Sequence, residues 1–205
     1  MTRFGMVIDT RKCFGCQTCA IACKVNNNLP KSVLWNRIIT SGSTNFDCGG
    51  GEYPNIDMTF MPVTCQHCKK PACVDACPTG ASHLTEEGIV LVDAEVCIGC
   101  KACINACPYG VRVLNDSEPE YYLDFAIGDG AEPEHVGDTV EKCNFCYQRI
   151  MNGRKPACME LCPGRARYWG DLDDPESEAS KAMEGREVKY FMSEEGTEPT
   201  TAYLV

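Results

Sequence analysis

Sustained apolar patterning is scarce along this chain, and it comes in short pieces. Residues 83–93, HLTEEGIVLVD, read as a turn at Glu86-Glu87-Gly88 followed by a short apolar strand. Toward the end, SEASKAMEG has a helical pattern, REVKYFM alternates, and TAYLV closes the chain. This last segment, 171–205, carries too little apolar surface for a core of its own. It is expected to be a helix and an extended tail that lies along the core or over a partner. No apolar run approaches the roughly 18 residues that cross a bilayer. The first residues, MTRFGMVIDTRKC, show no apolar h-region, no small-residue cleavage site and no twin-arginine motif. The expectation is a chain without its own export signal or anchor. It stays in the cytoplasm or leaves with a signal-bearing partner, and it meets a membrane only through a complex.

Much of the apolar count is cysteine, and that changes the picture. Seventeen of the 205 residues are Cys, a level that calls for cross-linking or metal. A disulfide framework usually belongs to a short secreted chain. Sixteen of the cysteines instead fall into four groups of four: Cys13, Cys16, Cys19, Cys23; Cys65, Cys68, Cys73, Cys77; Cys97, Cys100, Cys103, Cys107; and Cys143, Cys146, Cys158, Cys162. The third group is a strict C-x2-C-x2-C-x3-C-P, the run of bacterial ferredoxins. The first has that spacing without the proline, the second adds one residue before its third cysteine, and the fourth inserts a loop there. Three closely spaced thiolates reach three iron corners of one [4Fe–4S] cube. The fourth, expected at the start of a helical segment, reaches the other cube of a pair. Structural zinc is the competing reading, but it closes one tetrahedron with two C-x2-C pairs, and these runs overshoot that need.

Sequence order suggests the pairing. Groups two and three are neighbours, so they pair, and groups one and four pair across the chain. The expected ligand sets are Cys13, Cys16, Cys19 with Cys162; Cys143, Cys146, Cys158 with Cys23; Cys65, Cys68, Cys73 with Cys107; and Cys97, Cys100, Cys103 with Cys77. The predicted fold is α+β: two interlocked ferredoxin-like modules with long connecting loops. The outer module takes 1–30 and 138–170, the inner one 60–112, and 31–59 and 113–137 connect them. A formal net charge of −10 speaks against nucleic acid as a partner.

The runs GMVIDTRKCFGCQTCAIACK, TCQHCKKPACVDACPTGA, DAEVCIGCKACINACPYGVR and EKCNFCYQRIMNGRKPACMELCPGRARYWGDLDDP, with the late GTEPTTAYL, carry a resemblance over nearly the whole chain. They resemble the four-cluster electron-transfer subunits of the molybdopterin oxidoreductases, such as the small subunits of dimethyl sulfoxide, polysulfide, thiosulfate, tetrathionate and arsenate reductases. The resemblance implies four [4Fe–4S] clusters and a large catalytic subunit holding molybdenum or tungsten on a pterin. It implies a further quinone-reactive membrane subunit or soluble redox partner, and no catalytic site on this chain. It also implies an order, from the Cys13/Cys162 set through the Cys23/Cys143 and Cys65/Cys107 sets to the Cys77/Cys97 set. Cys103, replaced in some relatives, is present here. The rival identity is a soluble polyferredoxin, or the small subunit of a formate- or hydrogen-metabolising complex.

A few residues stand outside the four groups. Cys48, in DCGGGEY, reads as a free thiol. His67 lies inside the second loop as a neighbour that tunes potential by hydrogen bonding. Lys101 and Lys142 read as surface charges, Trp35 and Trp169 as packing residues, and the acidic stretch from Asp116 to Glu141 as a solvated excursion. No nucleophile–base constellation or glycine-rich phosphate loop is evident.

Overall fold

A computed structural model describes residues 2–40, 49–130 and 134–205; Cys48 lies outside them. Strand β1 (Phe4–Asp9) leads into the first cysteine loop and helix α1 (Thr18–Asn26). The first connector folds as β2 (Arg37–Thr40), β3 (Gly50–Glu52), β4 (Asn55–Asp57) and β5 (Phe60–Val63). Here β2 pairs with β5 and β3 with β4, both antiparallel. The second loop leads to α2 (Ala72–Asp75), and the hairpin β6 (Ser82–Leu84) and β7 (Val90–Val92) follows. Its turn is closed by Thr85 and Gly88, at the place the sequence pattern indicated. The third loop leads to α3 (Ala102–Ala106) and β8 (Val113–Leu114). After the acidic excursion, β9 (Val140–Glu141) returns to pair with β8. Then come the fourth loop, α4 (Tyr147–Met151), α5 (Ala157–Glu160) and β10 (Arg167–Asp171). The chain ends in α6 (Glu178–Met183), β11 (Val188–Tyr190) and β12 (Thr201–Leu204).

The architecture is mixed α/β, with small sheets and short helices. Helix α1, bearing group one, packs on α5 of group four, and α2 of group two packs on α3 of group three. The largest sheet has the order β10-β1-β12-β11. Alternation along β1 separates its two faces. Met6 and Ile8 join the main core with Trp169, Tyr203 and many of the cysteines, while Val7 faces a second cluster with Ala179, Ala202 and Leu204.

Through that second cluster the C-terminal segment packs along β1 as a helix and strands rather than as an extended tail. Strand β12 is fully buried and lies between β1, to which it runs parallel, and β11. Helix α6, capped at its start by the Ser177 hydroxyl accepting from the Ser180 N–H at 3.1 Å, covers the back of this sheet. The sequence hid the arrangement because the four residues of β12 pair with β1, nearly two hundred positions away, as well as with nearby β11.

Candidate metal centres

Each group begins with a C-x-x-C loop, and the residue before its second cysteine is left-handed in all four: Gly15 at φ 72°, His67 at 42°, Gly99 at 63° and Phe145 at 56°. Glycine reaches this region without penalty. At Gly99 there is also no room for a side chain, because a Cβ would come within 2.2 Å of the Asp138 carbonyl oxygen. The other two loops place bulky rings at this costly position. Tertiary packing holds them there: His67 and Phe145 are buried and stack on each other, with ring centroids 3.6 Å apart.

The third cysteine of each group sits in a short helix: Cys19 in α1, Cys73 in α2, Cys103 in α3 and Cys158 in α5. The fourth lies about one turn on. Cys77 and Cys162 follow the ends of α2 and α5, and Cys107 caps α3. The expected place at the start of a helix is therefore corrected to its end. A C-x3-C spacing consumes a helical turn, and Pro78, Pro108 and Pro163 then stop the helix by disfavouring α backbone at the preceding cysteine. Where Lys24 replaces the proline, α1 runs on through Cys23 to Asn26.

Three of the four expected sets surround a cavity each. Cys13, Cys16, Cys19 and Cys162 line one of them. Cys23, Cys143, Cys146 and Cys158 line a second, and Cys65, Cys68, Cys73 and Cys107 a third. For the fourth set, the packing of α2 on α3 brings the segment near Cys77 alongside the helix that holds Cys103. Exposure is graded across the sets. All four sulfur-bearing residues of the Cys23 set are buried, as are Cys65 and Cys68 of the next. The Cys13 and Cys77 sets each contain an exposed cysteine, Cys16 and Cys100 respectively.

Burial and the neighbouring sulfurs set the ionisation of these thiols. Burial, then the neighbouring Cys143, Cys146 and Cys158, pushes the Cys23 thiol well above its usual range. Burial also pushes Cys143 and Cys68 up to about 11. Gathered sulfurs that resist ionising alone become thiolates when a metal supplies positive charge. Cys77 goes the other way: slight burial opposes ionisation, but the Ser82 N–H and the Thr79 hydroxyl outweigh it and bring the thiol down to about 7. Amide donors recur at the sulfurs, with Phe145 N to Cys143, Ser82 N to Cys77, Val140 N to Cys97 and Ala166 N to Cys162, each at 3.4 Å. Among the described residues, no three metal-ligating side chains converge on the position of a single ion. A cube needs its thiolates farther apart than one zinc does.

Some functional-looking residues escaped the sequence reading. Lys142, expected on the surface, is 3% exposed; its Nζ donates to the Val90 and Cys143 carbonyls. Arg112 and Arg167 are equally buried, and each donates to a cysteine sulfur, Cys73 and Cys158 respectively. The signal was available, because C-P-x3-R occurs twice, at Cys107–Arg112 and at Cys162–Arg167. The buried Nε of Arg112, beside the Cys73 cavity, has no partner among the described residues. His67 accepts the Val90 N–H at Nδ1, so its proton is on Nε2. Burial, then the Lys142 charge, holds the ring well below the usual imidazole range, and it is neutral. Lys101 is exposed, and Trp35 and Trp169 are buried packing residues.

Comparison with known proteins agrees with this chemistry. A model described as a 4Fe-4S dicluster domain matches residues 56–121 and 131–172, and a 4Fe-4S binding domain matches residues 10–26. A Halobacterium salinarum protein, named for the iron–sulfur subunit of a dimethyl sulfoxide reductase, is 43% identical over 100% of this chain and 79% of its own length. The iron–sulfur subunit of the arsenate respiratory reductase of Shewanella sp. is 36% identical over 98% of this chain and 96% of its own. One subunit of the anaerobic dimethyl sulfoxide reductase of Escherichia coli is 36% identical over 84% of this chain and 76% of its own. Together with the cysteine runs and the cavities they line, these matches establish that this polypeptide belongs to the iron–sulfur electron-transfer subunits of the dimethyl sulfoxide reductase superfamily, with [4Fe–4S] clusters as cofactors.

Proposed function

We propose that the chain holds four [4Fe–4S] clusters in the crossed sets named above and serves as an electron conduit. It would connect a molybdopterin catalytic subunit to a quinone-reactive membrane subunit or a soluble redox partner. The clusters supply one-electron storage, at potentials set by hydrogen bonds, charge and solvent. The chain's own residues do the rest. The sulfurs bind, the amide donors at Cys77, Cys97, Cys143 and Cys162 favour negative charge on the ligands, and the packed core buries the whole Cys23 set.

The observation that carries this reading is the gradient of exposure. The Cys23 set is wholly buried, the Cys65 set has two buried and two half-buried cysteines, and the two terminal sets open to the surface at Cys16 and Cys100. A conduit needs its ends within reach of partners and its middle insulated from solvent. At both ends the first residue between the paired cysteines is an exposed apolar side chain, Phe14 at one and Ile98 at the other. Such side chains suit a docked protein surface better than water. In this reading the Cys13 set faces the catalytic subunit and the Cys77 set faces the outgoing partner. No helix among the described residues is long and apolar enough to cross a membrane, so a membrane contact runs through another subunit. Anaerobic purification of the complex should give about sixteen iron and sixteen sulfide per chain, four of each per cube. Zinc in place of iron, or about four iron per chain, refutes the reading. Isolation as an active lone carrier refutes the partner assignment.

A further inference from the structure

The last cysteine of group three and that of group four are each followed, five positions later, by an arginine in the frame C-P-x3-R. Both arginines are buried, Arg112 at 5% and Arg167 at 3% exposure. Burying a guanidinium is costly unless opposite charge compensates it. Among the described residues neither has a carboxylate partner, and the groups that hold them charged are chiefly sulfurs. For Arg112, burial works against the charge, and Cys73, Cys103 and Cys65 work for it. For Arg167, burial is likewise opposed by Cys158 and Cys19.

In each module the arginine stands between two ligand sets. Arg167 lines the cavity of Cys13, Cys16, Cys19 and Cys162, while its Nη1 lies 3.6 Å from the sulfur of Cys158, which belongs to the neighbouring cavity. Its Nη2 is fixed by the Asn36 side-chain oxygen at 3.2 Å. Arg112 lines the cavity of Cys65, Cys68, Cys73 and Cys107, with its Nη2 2.9 Å from the Cys73 sulfur. Its Nη1 donates to the Ser82 hydroxyl at 2.8 Å, and Ser82 in turn donates its backbone N–H to Cys77 of the fourth set. The position of Ser82 repeats the pattern, five residues after Cys77, so one member of the inner pair carries the cation and the other anchors it.

We propose that Arg112 and Arg167 are equivalent electrostatic bridges, one per module, each shared by two clusters and raising the reduction potentials of both. A fixed cation in a medium of low dielectric stabilises an added electron on either side of it. These are positioning residues for charge rather than ligands, and they sort the four sites into two pairs. The inference rests on the four-cluster reading, and the experiment separates the two.

The test is a potentiometric titration followed by electron paramagnetic resonance on the intact complex, with R112Q, R112K, R167Q and R167K. Each glutamine variant should lower two of the four midpoint potentials, by about tenfold in the reduction equilibrium, ~59 mV for one electron. The pair lowered by R112Q should not overlap the pair lowered by R167Q. Each lysine variant keeps the charge but loses the planar fork, and should move the same two potentials in the same direction by less than half as much. If a glutamine variant fails to retain iron, the lysine variant decides, since both potentials of its module must still fall. The proposal is overturned if iron is retained and no potential moves, if only one moves, if one potential responds to both arginines, or if lysine shifts as far as glutamine. Fewer than four clusters in the unmodified complex refutes the function proposed above instead.

Discussion

Deleting residues 201–205 is the perturbation that most sharply separates the sequence pattern from the three-dimensional fold. Read as an extended tail, these residues should be dispensable for iron binding. In the structure they form the central strand β12, with Ala202 and Leu204 in the back cluster and Tyr203 in the main core. Burying Tyr203 and Leu204 contributes about 1.5–3 kcal/mol each. Tyr203 also donates its hydroxyl to the Pro62 carbonyl at 2.8 Å, and Thr10 donates its hydroxyl to the Leu204 carbonyl at 2.8 Å. Net bonds of this kind are worth about 1 kcal/mol each. The sum is about 5–8 kcal/mol, comparable with the 5–15 kcal/mol that typically holds a domain together. Such a loss also exposes the edge of β1, the strand that leads into the first cysteine loop. The truncated chain should lose most of its iron and its cooperative melt, measured by iron analysis and circular dichroism after anaerobic purification. Full iron content and an unchanged Tm in the truncated chain would refute this account of the strand.

Other predictions are smaller in scale. Leu204→Ala, a single truncation in the same cluster, should cost about 2–5 kcal/mol in a denaturant melt while preserving cluster signals at low temperature. Burial pushes the Tyr203 hydroxyl up to about 12. The folded phenol then keeps its proton while the unfolded one loses it near pH 10, so stability falls as pH rises from about 10 to 12. Tyr203→Phe should lower stability at neutral pH by about 1–3 kcal/mol and remove its share of that alkaline slope. Cys77→Ser should perturb the cluster assigned to Cys97, Cys100 and Cys103, with Cys48→Ser as a silent control. A defect confined to the Cys65/Cys68/Cys73 cluster would sink the crossed arrangement.

Cysteine spacing carried most of what the sequence determined. The requirement of a cube for closely spaced thiolates is local, so the runs announced iron–sulfur chemistry, and their order underlies the module pairing that we propose. The turn at Glu86–Gly88 and helix α6 were legible for the same reason, since both are set by neighbours in sequence. The fourth cysteines at helix ends could have been read from the prolines that follow them. Long-range packing decided the rest. A short alternating segment looks alike on a surface and between two strands, and only the partners β1 and β11 made β12 part of the sheet. Lys142 looked like any surface lysine until the fold closed over it. His67 and Phe145 took left-handed positions held by glycine in the other two loops because each packs against the other, across 78 residues of sequence. The buried arginines acquire their significance in the same way, because the sulfur each one faces is fixed by packing between helices and strands, not by spacing along the chain.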